Sequence, residues 1–416
     1  MEFLIPSRTA RPADDPIFAL NSEASARRAK GESIVNATVG ALLDDDGRLA
    51  VLPSVVEAVR EVPPIAAASY APLAGPTPFL EAVVSDLLSG TELVSHAFAV
   101  ATPGGTGALR HAAANFLEPK QALLTSSFYW GPYKTIADEN DRRVETFSMF
   151  TEGGTLDVAA LDAALQRQLA AQGRALLFLN DPCQNPTGYS MRADEWKSVV
   201  AVLTAARKKG PITLLADVAY WIYGSGDPKA FLSHLTPLLG EIGLCFAWSG
   251  SKSFTQYGAR VGAIVVVDPD AQRRKRARDS LSYSCRGTWS NCNHAAMLAI
   301  TRVLSDAPLR NKVDAERGIL KKLLDGRVAA FNAAAKRHAA VLRYPRYDGG
   351  FFSTVFVPQG RDVQAIADAM RARGVYVVPQ GQGLRVALCS VAERDVPRLV
   401  DVMADVMADV MAESLA

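Results

Sequence analysis

The sequence predicts an α/β fold, with a large domain built on a mostly parallel sheet and a smaller α+β domain. Three observations support this. Strand-length apolar runs alternate with helical patterns from residue 98 to 217, a rhythm typical of parallel sheets. Polar candidate ligands directly follow several of these runs, and short strand patterns surround one helix beyond residue 340. We expect the large domain to cover 46–310, and the small domain 1–45 and 311–416.

Apolar periodicity predicts each element in turn. Helical patterns occupy 53–62, 77–88, 108–116, 158–171, 193–209, 294–335 and 363–373. Strand patterns occupy 98–101, 122–126, 144–147, 175–180, 212–217, 244–248, 261–267, 341–344, 351–357, 375–378 and 384–388. The tail repeats Asp-Val-Met-Ala from Asp401 to Ala412. A period of four drifts slowly around a helix, so we interpret its Val and Met residues as core packing.

Composition narrows the classes of partner. The 416 residues are 49% hydrophobic and 21% charged, and a net charge of +2 gives no reason to expect nucleic acid or an acidic membrane. No apolar run reaches the length of a membrane span. Five cysteines without a CxxC pair favour reduced thiols in a cytoplasmic protein, and five scattered histidines give a metal site little support. We therefore expect a small-molecule partner and no metal.

The stretch from Ser249 to Arg260 combines a lysine with groups that bind anions. Ser249 and Ser251 stand three and one positions before Lys252, which follows a strand pattern, and Arg260 comes eight residues after it. A lysine amine condenses with an aldehyde, while hydroxyls and a guanidinium bind phosphate. Pyridoxal 5'-phosphate (PLP) carries both groups. A lysine beside serines is also a common solvated surface residue, so the stretch alone leaves that interpretation open.

Further polar residues follow other strands of the predicted sheet. The glycine-rich turn 104–107 separates a strand from a helix, where free N–H groups bind anions, although it also suits a plain tight turn. Trp130, Asn185 and Asp217 each follow a strand pattern. Because ligand sites of parallel sheets lie at the carboxyl ends of the strands, we expect these residues to meet. Taken singly, Asp217 also suits a cap and Trp130 suits a core.

Together these motifs resemble the class I aminotransferases of fold type I, the group of aspartate and aromatic amino acid aminotransferases. The resemblance rests on TPGGTGALR at 102–110, NPTG at 185–188, the Asp217 and Tyr220 pair, the lysine stretch and Arg385, in that order. It implies a fold type I PLP-transferase. It also implies transfer of the α-amino group of an aromatic or dicarboxylic amino acid to 2-oxoglutarate, in a ping-pong cycle between PLP and pyridoxamine phosphate.

The resemblance implies roles for the residues around the cofactor. Lys252 would bond to PLP and carry the proton, Asp217 would pair with the pyridine nitrogen, and Tyr220 would bind the ring oxygen. Trp130 would stack on the ring, and Asn185 would contact both cofactor and substrate. The phosphate would be held by Gly105, Thr106, Ser249, Ser251 and Arg260, together with Tyr70 of the neighbouring subunit.

The resemblance also implies a substrate site shared between two subunits. Arg385 would bind the α-carboxylate, and Gly40 would offer a backbone contact. Arg286 begins a segment similar to the family's RxxYSN stretch, 34 residues after Lys252, and would bind a distal carboxylate from the partner subunit. A homodimer with shared active sites follows. Taken singly, Arg286 also suits an ordinary salt-bridging arginine, and Arg385 also suits an ordinary surface residue.

Departures from the pattern keep alternatives open. Tyr133 stands where close relatives have a histidine behind the aspartate, and the segments 181–184 and 40–43 diverge. The preferred amino donor therefore stays open between aspartate and aromatic amino acids. A PLP-dependent β-lyase on the same fold is one alternative, although lyases rarely need a distal-carboxylate arginine. A non-catalytic aminotransferase-like ligand sensor is another, although no basic helix-turn-helix segment precedes the fold.

Overall fold

A computed structural model describes residues 3–9, 11 and 16–412 of the chain. The strands are β1 (Val35–Asn36), β2 (Ala97–Thr102), β3 (Ala122–Ser126), β4 (Arg143–Phe147), β5 (Ala175–Asn180), β6 (Ile212–Asp217), β7 (Gly243–Ser249), β8 (Gly262–Val267), β9 (Phe352–Phe356), β10 (Val375–Tyr376), β11 (Val378–Gln380) and β12 (Gly383–Ala387). The helices are α1 (Pro16–Ala29), α2 (Pro53–Arg60), α3 (Pro64–Ala68), α4 (Thr77–Leu88), α5 (Gly104–Phe116), α6 (Pro132–Glu139), α7 (Val158–Gln172), α8 (Ala193–Ala206), α9 (Ala230–Leu235), α10 (Gly250–Ser253), α11 (Ala271–Arg286), α12 (His294–Ser305), α13 (Ala307–Arg337), α14 (Val363–Ala372) and α15 (Val396–Ala412).

A seven-stranded sheet forms the centre of the fold, in the order β2-β8-β7-β6-β5-β3-β4. Only β8 runs antiparallel to its neighbours, so the other six strands point the same way. Strands β5 and β8 are buried along their whole length, as expected for a sheet with helices on both faces. The predicted mostly parallel α/β fold is confirmed. Six carboxyl strand ends therefore lie along one edge.

A second core forms around the antiparallel sheet β11-β12-β9 and the helices α13 to α15. The parallel pair of β1 with β10 brings the N-terminal segment to this core. Helix α13 joins the two cores, since Val313 packs into the large one and Leu324 into the second. The proposed domain boundaries at 45 and 310 stay predictions. Among the described residues, no helix is long and apolar enough to cross a membrane.

Two predictions of secondary structure in the C-terminal half of the chain are wrong. The single helical tract 294–335 is divided at Asp306, whose side chain caps α13 by accepting a hydrogen bond from the Leu309 N–H (3.1 Å). Pro308 follows, and proline favours the start of a helix over its interior. The predicted strand at 341–344 is wrong, because that segment is irregular. Pro345 ends it, and a proline offers no N–H to a strand ladder.

The repeated tail forms α15, whose apolar stripe packs into the second core. Val400, Met403, Val406 and Met407 are buried there, which confirms core packing. Met411, one repeat beyond Met407, is 39% exposed. Val410 still packs against the second core, so only the Met411 side of the last turn faces solvent.

Replacing Met403 by alanine should lower the free energy of unfolding by about 2–5 kcal/mol, because it removes a fully buried side chain. Met411→Ala, on the same helix, is the matched control and should change it by about 0.5 kcal/mol or less. Equilibrium urea unfolding measures both. Equal effects of the two substitutions would contradict the core interpretation.

Candidate active site

A cavity opens at the carboxyl edge of the central sheet. We call it the inner cavity. It brings together ten of the predicted site residues, namely Gly105, Thr106, Trp130, Asn185, Asp217, Tyr220, Ser249, Ser251, Lys252 and Arg260. The sequence did not single out its remaining lining residues, Leu109, Asn180 and Ala219. Asn180 carried a usable signal, because it is the polar last residue of a buried strand.

One end of the inner cavity is built to bind an anion. Helix α5 begins there at Gly104, whose φ of +73° and closeness to Arg260 exclude a side chain: a β-carbon would lie 2.5 Å from Nη2. Arg260 is held by the carbonyl of Tyr257 (2.9 Å) and lies 3.4 Å from the Ser251 hydroxyl. The N–H groups of the first helical turn, two serine hydroxyls and a guanidinium therefore converge.

Lys252 lies on α10, a single helical turn where the sequence suggested a loop. Ser249 caps this turn by accepting from the Ser251 N–H (3.2 Å). The Tyr223 hydroxyl donates to the Lys252 carbonyl (3.1 Å), and Arg317 Nε donates to the Ser253 carbonyl (2.7 Å), so the backbone on both sides of the amine is fixed. Its Nζ lies 5.4 Å from the Tyr220 ring centre.

Burial disfavours the charged form of Lys252 and lowers the pKa of its amine. Asp217 opposes this effect, and Arg260 adds to it. A larger share of Lys252 is therefore the neutral amine than of an ordinary surface lysine. A neutral amine can act as nucleophile and base.

Asp217 ends β6 and is buried at the floor of the inner cavity. Its Oδ2 accepts from the Tyr133 hydroxyl (2.8 Å), and its Oδ1 accepts from the Ala219 N–H (3.2 Å). Burial raises the pKa of this carboxyl, while the two hydrogen bonds and Lys252 lower it. The two hydrogen bonds and Lys252 thus oppose the effect of burial, and in its ionised form this carboxyl can pair with a cationic ligand group.

Two asparagines connect Asp217 to Tyr220. Asn180 donates to the Asp217 carbonyl (2.6 Å) and accepts from the Asn185 N–H (2.7 Å). The Asn185 side chain donates to the Tyr220 hydroxyl (3.2 Å), whose pKa is raised by burial. Asn185 Oδ1 is buried and has no hydrogen-bond partner among the described residues. Such an orphaned oxygen in a cavity points to a ligand donor.

Trp130 lines both the inner cavity and a wider outer cavity that it shares with Arg385, Gln380 and the start of α1. Its loop is fixed by two glutamines: Gln184 donates to the Phe128 carbonyl (2.6 Å) and Gln380 to the Tyr129 carbonyl (2.5 Å). Because β11 carries Gln380, this contact links the second core to the central sheet. The two cavities thus adjoin at one indole.

Arg385 is buried on β12 beside Phe352, its guanidinium 4.8 Å from the ring centre. Its Nη2 donates to the Thr38 carbonyl (2.6 Å), which orients the side chain at the outer cavity. Gly40 lies against the same ring, where a β-carbon would meet Phe352 at 3.0 Å. A planar guanidinium fixed in this way can bind a carboxylate through two bonds.

Three predicted site residues line neither cavity of their own chain: Gly40, Tyr70 and Arg286. Tyr70 is 91% exposed, and Arg286, at the exposed end of α11, donates to the Ser290 hydroxyl (2.8 Å). Among the described residues no group of His, Cys, Asp and Glu side chains could hold a metal ion. All five cysteines are buried free thiols.

Several known proteins resemble this chain in sequence and in structure. Residues 32–403 match the family model described as aminotransferase class I and II. The chain is 28% identical to an aspartate aminotransferase of Pseudomonas aeruginosa (78% of this chain, 81% of the relative) and 28% identical to an aromatic-amino-acid aminotransferase of the same organism (75% and 76%). A solved aminotransferase structure from Anaerococcus prevotii shares 31% identity and a TM-score of 0.91, covering 97% of this chain and 99% of that one.

Proposed function

Because the chain belongs to the class I and II aminotransferases, we propose that it binds PLP in the inner cavity and transfers the α-amino group of an aspartate-like or aromatic amino acid to 2-oxoglutarate. Enzymes of this family depend on PLP, and the chain is accordingly a PLP-dependent aminotransferase.

The order of groups along the sheet edge carries the proposal. The anion-binding groups stand at the ends of β2 and β7, the Lys252 amine follows on α10, and Asp217 ends β6. PLP carries a phosphate, an aldehyde and a pyridine nitrogen, which would meet the anion-binding groups, the amine and the carboxyl in this order. The orphaned Asn185 oxygen, which lacks a hydrogen-bond donor among the described residues, further supports a ligand at this edge.

PLP, when bound, supplies a covalent anchor for the substrate nitrogen and a sink for the electrons released at Cα. Lys252 moves the proton away from the substrate Cα, and the burial that lowers its pKa keeps the amine available as a base. Asp217 supplies the negative charge that holds a proton on the ring nitrogen. Tyr220 and Asn185 hold the ring oxygen, and Trp130 covers the ring.

Substrate carboxylates are bound at the outer cavity and by the partner subunit. We assign the α-carboxylate to Arg385 and a second substrate contact to Asn185. We assign Arg286 to the distal carboxylate and Tyr70 to the phosphate of the partner's site, because both are exposed and outside their own cavities. The active enzyme is then a homodimer, in keeping with the symmetric assemblies common among enzymes. The free, buried cysteines suit a cytoplasmic location.

A scan of single amino acids tests the function. Each is added to the PLP-loaded enzyme, and the conversion of the cofactor absorption band is followed without a keto acid. Aspartate, glutamate and aromatic amino acids should convert the band. Arg286→Ala should slow the dicarboxylates by about 100-fold, because it leaves a carboxylate unpaired.

Two controls accompany the scan. Arg276→Ala, an exposed arginine on the same helix, should leave every rate unchanged, and aromatic substrates should be nearly unaffected by Arg286→Ala. A band that no amino acid converts would contradict transamination. Release of pyruvate and ammonia without a keto acid would instead indicate a β-lyase.

Mixing two inactive variants tests the shared site. Lys252→Ala contributes an intact Arg286, and Arg286→Ala contributes an intact Lys252, so each mixed dimer has one complete site. Random exchange should restore about one quarter of wild-type activity on dicarboxylates. Measurement of activity after mixing checks this. If the mixture stays as inactive as its parents after exchange is shown, Arg286 does not act across the interface.

A further inference from the structure

Tyr133 is a buried tyrosine whose hydroxyl donates a hydrogen bond to the Asp217 carboxylate at 2.8 Å, its one hydrogen-bond partner in the part of the chain that the structure describes. It lies in the first turn of α6, just after the loop that carries Trp130. Its ring is held edge-on by Phe178 (5.3 Å between ring centres) and by Trp130 (6.0 Å). The hydroxyl therefore has a fixed direction toward Asp217.

The surroundings of Asp217 show what this hydroxyl adds. The carboxylate faces Tyr133 from α6, the Ala219 N–H and Tyr220 beyond β6, and Lys252 from α10. Burial raises the pKa of the Tyr133 phenol well above its ordinary value, so this donor stays neutral over the working pH range. It orients Oδ2 without adding a charge.

We propose that Tyr133 is a positioning residue, which orients Asp217 and sets its proton affinity against that of the cofactor's ring nitrogen. The inference rests on the proposed function, because the ring nitrogen belongs to PLP. A hydrogen bond donated to a carboxylate stabilises the ionised form. With PLP bound, an ionised Asp217 would hold a proton on the ring nitrogen, and the protonated ring would favour removal of the Cα proton.

Tyr133→Phe isolates the hydroxyl, because phenylalanine keeps the ring contacts with Phe178 and Trp130. In the PLP-free protein, the pKa of the Asp217 carboxyl should rise by about one unit, since a donor that lowers it is lost. Carbon-13 NMR of labelled aspartate measures this, with Asp217→Asn assigning the signal. This readout does not depend on PLP.

In the loaded enzyme, two further changes are expected. The pH midpoint of the change in the cofactor absorption band should be higher than in the wild-type enzyme. A ring nitrogen with less positive charge repels a second proton less strongly, so the Lys252 nitrogen should keep its proton to a higher pH. The value of kcat should fall about tenfold with KM nearly unchanged, because substrate contacts are intact. Tyr133→His, which restores a donor, should recover part of kcat.

Tyr129→Phe is the matched control. The Tyr129 ring stacks on the Tyr133 ring with 6.2 Å between ring centres, and Tyr129 does not line the inner cavity. Loss of the Tyr129 hydroxyl should therefore leave the pH midpoint of the absorption band and kcat unchanged. Unchanged Asp217 pKa and band midpoint in Tyr133→Phe would overturn the inference, even if stability fell. A wild-type enzyme that binds no PLP would overturn the proposed function, whereas the NMR shift would still report on the Tyr133 contact.

Discussion

The common direction of six strands is the constraint on which the site depends. Because β8 alone is antiparallel, the ends of β2, β3, β5, β6 and β7 meet at one edge. Residues far apart in the chain, from Gly105 to Arg260, therefore face one cavity. No local segment contains the site. The fold instead collects one anion cradle, one amine and one carboxylate from successive strand ends.

Burial changes the proton affinity of the reactive groups, and the surrounding contacts keep these groups in place. Burial lowers the pKa of Lys252 and raises the pKa of Asp217. Removing charged groups from water is unfavourable, so the site is stabilised by fixed donors rather than by solvent. Tyr223 and Arg317 hold the lysine turn, and Tyr133 holds the carboxylate. Arg317 lies on α13, which also packs in the second core.

Strands were the most predictable part of the fold, because buried parallel strands give continuous apolar runs. The predictions at 122–126, 175–180 and 212–217 match the observed strands end to end. The strand predicted at 341–344 does not form. An apolar run alone does not show whether its backbone groups have a neighbouring strand with which to form hydrogen bonds. The resemblance placed Tyr133 behind Asp217, but the sequence did not give the direct hydrogen bond between these two side chains, which are 84 residues apart. The roles of Tyr70 and Arg286 depend on a second subunit, which one chain cannot specify.

The central claim is that Lys252 is the attachment point of PLP. The most direct measurement loads the protein with PLP, reduces it with borohydride, and locates the adduct by mass spectrometry of its peptides. We expect one cofactor per chain, attached to the peptide that contains Lys252. Adducts spread over surface lysines, or an unmodified Lys252 peptide, would contradict it.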